Sequence, residues 1–133
     1  MKKIIIAAMA AAAAFTSYGK SPLTLMSYNI HNGVGIDNVT DYNRIGQMIK
    51  SHQPDIVAIQ EIDSMTTRSE SRYVLGEIAE TAGMNGYYAP AINFKGGKYG
   101  IGLLCKEKPQ KIRRFALPGS EESRALIIAE FPD

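Results

Sequence analysis

The segment that most constrains the fold of this 133-residue chain is the run Ile56-Val57-Ala58-Ile59-Gln60. It is almost entirely apolar and rich in β-branched residues, which predicts a short β-strand buried on both faces. Such a strand needs packing partners above and below its sheet, so the chain must fold in layers. Glu61 follows this run directly, at the predicted end of the strand.

The segment before this strand predicts another strand and a helix. Residues 23–30 form an apolar, partly alternating run that is typical of a β-strand. Asp41–His52 has its apolar side chains at helical spacing, and either Thr40 or Asp41 can cap the start of the helix. Pro54 ends it, because proline disfavours helical backbone at the residue before it.

The segment after the buried strand predicts one more helix and then only strands. A polar loop over residues 62–70 leads to a helix from Ser71 to Ala82, with Gly83 as its terminator. The order β-α-β-α followed by consecutive strands indicates an α/β (α+β) fold with helices outside the sheets. The consecutive strands are Tyr87–Ala91, Tyr99–Cys105, Lys111–Ala116 and Arg124–Phe131.

The last predicted strand ends two residues before the chain does. No later segment is available to pair with it or to cover it, and an exposed apolar edge strand is an aggregation hazard. We therefore expect either that the chain is the N-terminal part of a larger domain or that a second copy pairs with this strand.

The N-terminus has the layout of a secretory signal peptide. Lys2 and Lys3 precede the apolar run Ile4–Phe15, and Ser17 and Gly19 suit the −3 and −1 positions of a cleavage site. The run is shorter than the ~20 residues that span a bilayer, although an N-terminal anchor or a buried helix is the alternative. This predicts an exported protein, periplasmic or extracellular, with a signal peptide at residues 1–19 and a domain over 20–133.

The charge balance of the mature chain bears on its partners. The whole chain has 15 basic and 13 acidic residues, and removing Lys2 and Lys3 leaves 13 of each. A nucleic-acid-binding protein usually carries a basic patch, whereas the moderate cluster over residues 106–114 is typical of a solvated hairpin edge. The charge balance therefore makes nucleic acid possible but not favoured as a partner, and it leaves the oligomeric state open.

Two polar residues are predicted to meet at one edge of the sheet. If the first two strands are parallel, their carboxyl ends lie together, which places Asn29 beside Glu61, with His31 just beyond. An ionised glutamate after a buried run is costly unless it is solvated, paired or bound to a cation such as Mg2+. The alternative to metal binding is a solvated Glu61 or one paired with Arg68 or Arg72.

The sequence around these residues resembles the endonuclease/exonuclease/phosphatase superfamily, which includes the DNase I-like nucleases. Two motifs at this spacing carry most of the resemblance, and shorter matches follow in the expected order over residues 23–131. The resemblance implies half of a four-layer α/β/β/α sandwich of the DNase I-like type. The two motifs are Met26-Ser27-Tyr28-Asn29-Ile30-His31-Asn32-Gly33 and Pro54-Asp55-Ile56-Val57-Ala58-Ile59-Gln60-Glu61-Ile62-Asp63.

The resemblance also implies roles for individual residues. Glu61 corresponds to the family's ligand for Mg2+ (or Mn2+ or Ca2+), and Asn29 to the asparagine of its metal and phosphate network. His31 is a candidate catalytic residue, with a loop hydrogen bond as its alternative role. Arg68 is a candidate for substrate binding, with a surface ion pair as the alternative.

Other residues that the family uses have no counterpart in this sequence. The Gly-Asp-x-Asn segment and the Ser-Asp-His segment, which activate water and orient the phosphate, are absent, and the only histidines are His31 and His52. The resemblance therefore implies a parent protein that is a Mg2+-dependent phosphoesterase acting on a phosphate-ester small molecule or a lipid headgroup, and we expect no catalysis by this chain alone. The alternatives are a non-catalytic exported binding module, which could dimerise through its terminal strand, or a fragment that a separate C-terminal chain completes.

Overall fold

A computed structural model describes residues 21–132 of the chain. The predicted signal peptide, residues 1–19, lies outside the described residues. The order of elements is β-α-β-α followed by four strands, as the sequence predicts. The elements are β1 (Leu25–Asn29), α1 (Tyr42–His52), β2 (Ile56–Ser64), α2 (Val74–Ala82), β3 (Asn85–Phe94), β4 (Gly97–Cys105), β5 (Lys111–Leu117) and β6 (Arg124–Glu130), with a short 3-10 turn at His31–Gly33 after β1.

Local capping sets the start and end of the first helix. Asp41 is the N-cap of α1, because its side chain accepts a hydrogen bond of 2.9 Å from the backbone N–H of Arg44. At the other end Gln53 adopts left-handed backbone with φ of 51°, and Pro54 follows. The sequence prediction for this helix is therefore confirmed to within one residue.

The second helix starts later than the sequence predicts. Helix α2 begins at Val74 rather than Ser71. Ser71 has φ of 57°, which a right-handed helix cannot contain, and its N–H donates to the carbonyl of Thr66 at 2.8 Å. Residues 71–73 therefore close the preceding loop, and only the C-terminal boundary at Gly83 agrees with the prediction.

Strands β1 to β4 form one mixed sheet in the order β1-β2-β4-β3. Strands β1 and β2 are parallel, and β4 is antiparallel to both β2 and β3. Strand β2 is longer than predicted, because it continues beyond Gln60 through an irregularity between Ile59 and Ile62. The predicted placement of Glu61 after the strand is therefore wrong, and the loop predicted over residues 62–70 begins only after Ser64.

The two helices cover one face of this sheet and a hairpin lies on the other. Side chains of α1 and α2 pack with Val57, Ile59 and Leu104 in the hydrophobic core. Strands β5 and β6 form a separate antiparallel pair. This hairpin contacts β3 and β4, and the Nε atom of Arg114 donates to the carbonyl of Tyr88 at 2.6 Å. The result is a layered mixed α/β fold.

Strand β6 has a single partner among the described residues, which is β5. On the outward side of the hairpin, Phe115, Leu117 and Leu126 are exposed. Within residues 21–132 no helix is long and apolar enough to cross a membrane.

Candidate functional site

Glu61 lies at a bulge in β2. Its backbone is left-handed, with φ of 58°, and the register with β4 shifts between Ile59 and Ile62. Gln60 and Glu61 line the same cavity although they are consecutive, whereas regular strand residues alternate between faces. The hydroxyl of Tyr88 donates to the carbonyl of Ile62 at 3.1 Å, which helps to fix the bulge.

Asn29 ends β1 beside this bulge. It is paired in register with Gln60, and the backbone N–H of Ile30 donates to the carbonyl of Gln60 at 3.1 Å. The Oδ1 atom of Asn29 accepts the backbone N–H of His31 at 3.0 Å, so the chain turns directly after the strand. Asn29 and Glu61 line one cavity of about 330 Å³, as the parallel pairing of β1 and β2 predicts.

The remaining walls of this cavity come from β3, β4 and the loop that joins β5 to β6. Tyr99 and Ile101 contribute from β4, and Glu122 and Arg124 from the hairpin. None of these four side chains is a site candidate from the sequence alone. Their approach to Glu61 depends on the hairpin lying across the sheet, which no local sequence signal shows.

Burial raises the pKa of the Tyr99 hydroxyl, and the nearby charge of Glu61 raises that pKa further. The hydroxyl therefore remains protonated near neutral pH. It is a hydrogen-bond donor in a cavity that also holds carboxylates.

The carboxylate of Glu61 forms no ion pair with any residue that the structure describes. Arg68 pairs with Asp63, and Arg72 pairs with Glu77, so neither arginine pairs with Glu61 in the structure. The donor set of one carboxylate and one carboxamide fits Mg2+, which often takes only one or two protein ligands and fills its shell with water and phosphate oxygens. Over residues 21–132 no cluster of three His, Cys, Asp or Glu side chains could hold a metal.

Arg68 lies outside the cavity that holds Glu61. Its Nε and Nη2 atoms donate to Asp63 at 2.8 and 2.7 Å, and its guanidinium carbon is 4.6 Å from the ring centre of Phe94. The Asp63 side chain is only 1% exposed. An ion pair is therefore observed, although its carboxylate is buried rather than at the surface. A substrate role for Arg68 stays a prediction.

His31 lines a neighbouring cavity of about 400 Å³, which Asn29 also lines. Glu61 is not among the residues of this second cavity. The other histidine, His52, is near the C-terminal end of α1, where its Nδ1 atom is 2.9 Å from the carbonyl oxygen of Met48. The structure therefore brings His31 beside Asn29 but not into one cavity with Glu61.

An ion pair links the loop between β1 and α1 to the helix, and both of its residues line the second cavity. Arg44 donates to both carboxylate oxygens of Asp37, at 2.7 and 3.2 Å, and to the carbonyl of Val39 at 3.2 Å. This contact, with a further hydrogen bond from the Val39 N–H, lowers the pKa of Asp37 from 3.8 to about 2.

We expect Arg44→Gln to return the pKa of Asp37 toward 3.8, as measured by NMR titration of its carboxyl carbon. Because the pKa is lower in the folded chain, the stabilising contribution of Asp37 is present above pH 3.8 and is lost as the pH falls toward 2. Arg72→Gln is the control, since Arg72 pairs with Glu77 instead. A pKa that is unchanged in Arg44→Gln would show that the ion pair does not form in solution.

Comparison with known proteins identifies the fold. The sequence pattern of the Endonuclease/Exonuclease/phosphatase family matches residues 26–128, which is most of the chain. The chain belongs to this family. Members are phosphoesterase- and nuclease-type hydrolases and commonly use divalent metal ions.

Two solved structures of family members share the fold at low sequence identity. One is an endonuclease/exonuclease/phosphatase from Beutenbergia cavernae DSM 12333, with a TM-score of 0.57 and 19% identity over 72% of this chain and 29% of that one. The other is a family protein from Leptotrichia buccalis C-1013-b, with a TM-score of 0.59 and 14% identity over 80% of this chain and 47% of that one. The chain therefore has a DNase I-like fold and spans less than half the length of either structure.

Proposed function

We propose that this chain supplies the metal- and phosphate-binding part of an exported, Mg2+-dependent hydrolase of phosphate esters. The observation that carries the proposal is the convergence of Asn29 and Glu61 on one cavity at the carboxyl end of β1, where its parallel pairing with β2 ends. Open α/β sheets bind ligands at such edges.

The backbone of Glu61 supports a functional role for this residue. Left-handed backbone costs a residue other than glycine about 1–2 kcal/mol. Among the described residues eight other non-glycine residues have positive φ, all in turns, loops or helix caps, whereas Glu61 has it inside a strand. Bulges of this kind often redirect a side chain next to a functional site. Here the bulge turns the Glu61 carboxylate into the cavity that Asn29 also lines.

Each residue has a defined part in this proposal. Glu61 and Asn29 would hold the cation, which, when bound, stabilises negative charge on the phosphate and the leaving oxygen. Tyr99, which remains protonated, donates a hydrogen bond to a phosphate oxygen in the same cavity. The neutral balance of charge outside the predicted signal peptide favours a small phosphate ester or a lipid headgroup over nucleic acid.

Water activation is the step for which this chain offers the fewest candidate residues. The sequence contains two histidines, of which His52 contacts the carbonyl of Met48 in α1 and His31 lines the neighbouring cavity. General-base catalysis needs a base within hydrogen-bond reach of the attacking water. We therefore expect this chain to bind the cation without hydrolysing a phosphodiester.

Metal binding by the whole chain tests the proposal. Titrated Mn2+, used as a paramagnetic substitute for Mg2+, is expected to broaden the amide NMR signals of Asn29, Gln60 and Gly100 first. Glu61→Gln keeps the shape of the side chain but removes its charge, and should weaken Mn2+ binding by at least about 10-fold, a loss that even outer partners of a metal produce.

Glu80→Gln is the matched control, because Glu80 is exposed on α2 and its substitution makes the same change in charge. It should bind Mn2+ like the unaltered chain. Equal Mn2+ affinity in Glu61→Gln and Glu80→Gln would refute the proposed site. The alternative of a dimerising binding module stays a prediction, and analytical ultracentrifugation of the same samples tests it.

A further inference from the structure

The second cavity, beside Asn29, is not used by the proposed chemistry. It is bounded on one side by the end of β1 and on another by α1, with the loop of residues 33–37 over them. Tyr28, Ile45 and Met48 give it a largely apolar lining. Its volume of about 400 Å³ lies within the range of small-molecule sites, roughly 300–1,000 Å³.

The loop wall of this cavity is held in place by specific contacts. Val34 and Thr40 form an isolated antiparallel bridge, and Arg44 binds Asp37 across the loop. A Cβ atom added at Gly35 would lie 2.3 Å from the Nη2 atom of Arg44, so the guanidinium occupies this position because residue 35 has no side chain. Because Arg44 and Asp37 neutralise each other, the cavity presents apolar surface and little net charge.

The side chain of Ile36 supports the same conclusion. Ile36 is fully exposed at the rim of this cavity, which is unfavourable for a large apolar side chain in water. A bound apolar group would cover part of this surface. Tyr28 and Met48 suit a flat ring, since aromatic and thioether groups both pack well on aromatic faces.

The position of the cavity connects it to the proposed phosphate site. Asn29 lines both the cavity that holds Glu61 and the second cavity. Asn29 is the one described residue that both linings share, so a phosphate bound at Asn29 lies at the border between the two cavities.

We propose that the second cavity binds a flat, uncharged ring carried by the phosphate ester, which makes small aromatic phosphate esters the preferred substrate class. This inference rests on the proposed function for the placement of the phosphate. The ring-binding part is independent of the metal and can be tested separately.

The test compares two phosphates of equal charge on the whole chain with Mg2+ present. Phenyl phosphate is expected to bind about 10-fold more tightly than glycerol 1-phosphate, the lower end of the discrimination that an apolar pocket provides. It should shift the amide NMR signals of Val34, Gly35 and Met48, which glycerol 1-phosphate should leave in place. Equal affinities with no shifts at these residues would overturn the inference.

Two variants sharpen this comparison. Met48→Gln is expected to remove most of the preference for phenyl phosphate, because it places an amide against the ring. Met84→Gln is the control, since Met84 is also partly buried against the core but lines a different cavity. Loss of the preference in both variants would overturn the assignment of the ring to this cavity.

Binding of phenol alone distinguishes a failure of this inference from a failure of the proposed function. It should shift the same amides in the unaltered chain and in Glu61→Gln, because the ring needs no metal. If phenol shifts them but neither phosphate binds, the ring site stands and the proposed function fails. If phenol and phenyl phosphate both leave these amides unchanged, the ring site fails whatever happens at Glu61.

Discussion

Arg68→Ala is expected to lower the free energy of unfolding by about 3 kcal/mol, at the lower end of what breaking a buried ion pair costs. Arg68 is the partner of Asp63, whose side chain is 1% exposed against 32% for Arg68. Removing the arginine leaves a buried carboxylate without its counter-charge. Urea unfolding followed by circular dichroism gives the change.

The neighbours of this ion pair explain why the loss of stability in Arg68→Ala should be large. The hydroxyl of Thr66, which is buried, also donates to Asp63 at 3.1 Å and cannot replace the two hydrogen bonds from Arg68. The guanidinium also lies over the rings of Phe94 and Tyr99, at 4.6 and 5.7 Å from their centres. Truncation therefore removes cation–π contacts as well as the ion pair.

Arg113→Ala is the matched control for this prediction. Arg113 pairs with Glu130 on the hairpin, where both side chains are about half exposed, at 44% and 45%. Exposed pairs contribute roughly 0–1 kcal/mol, so this variant should remain close to the unaltered chain. If Arg68→Ala is as stable as Arg113→Ala and loses affinity for phosphate instead, the predicted substrate-binding role of Arg68 is correct.

Gly100→Ala is expected to destabilise the fold by about 3 kcal/mol, because overpacking against rigid backbone costs up to this amount or more. Gly100 in β4 is paired with Ile62 on one side and Pro90 on the other. An added Cβ atom would lie 2.2 Å from the carbonyl oxygen of Ala89 and 3.0 Å from the amide nitrogen of Ala91. Neither backbone atom can move without opening the sheet.

Gly100 also supports the geometry of the site, because both strands that flank β4 have an irregularity next to this residue. The register of β2 shifts just before Ile62, and that of β3 shifts between Pro90 and Ile92. Both irregularities border the cavity that Glu61 lines. We therefore expect Gly100→Ala to weaken Mn2+ binding together with stability.

Gly86→Ala provides the comparison. A Cβ atom there would meet only side chains, namely Ala79 at 3.2 Å and Leu75 at 3.4 Å, which can shift slightly. Its cost should be well below that of Gly100→Ala when both are measured by urea unfolding. Equal stability of the two variants would contradict the account of the paired bulges.

The sequence of this chain determined the order of its elements and the two polar residues that line one cavity. Capping residues and apolar spacing locate α1, and the run at residues 56–60 locates the core of β2, because these signals act within a few residues. The parallel relation of β1 and β2 then brings Asn29 and Glu61 together, as the strand–helix–strand order predicts.

Only the tertiary structure decided the bulged backbone conformation of Glu61 and the ion-pair partner of Arg68. The bulge at Glu61 arises where β2 pairs with β4, about 40 residues later in the chain, so no local pattern in β2 encodes it. The Arg68–Asp63 pair forms where the Phe94 and Tyr99 rings of the β3–β4 hairpin pack against the guanidinium. Interactions between segments distant in sequence determine the burial of these charges, and burial sets which pairings are stable.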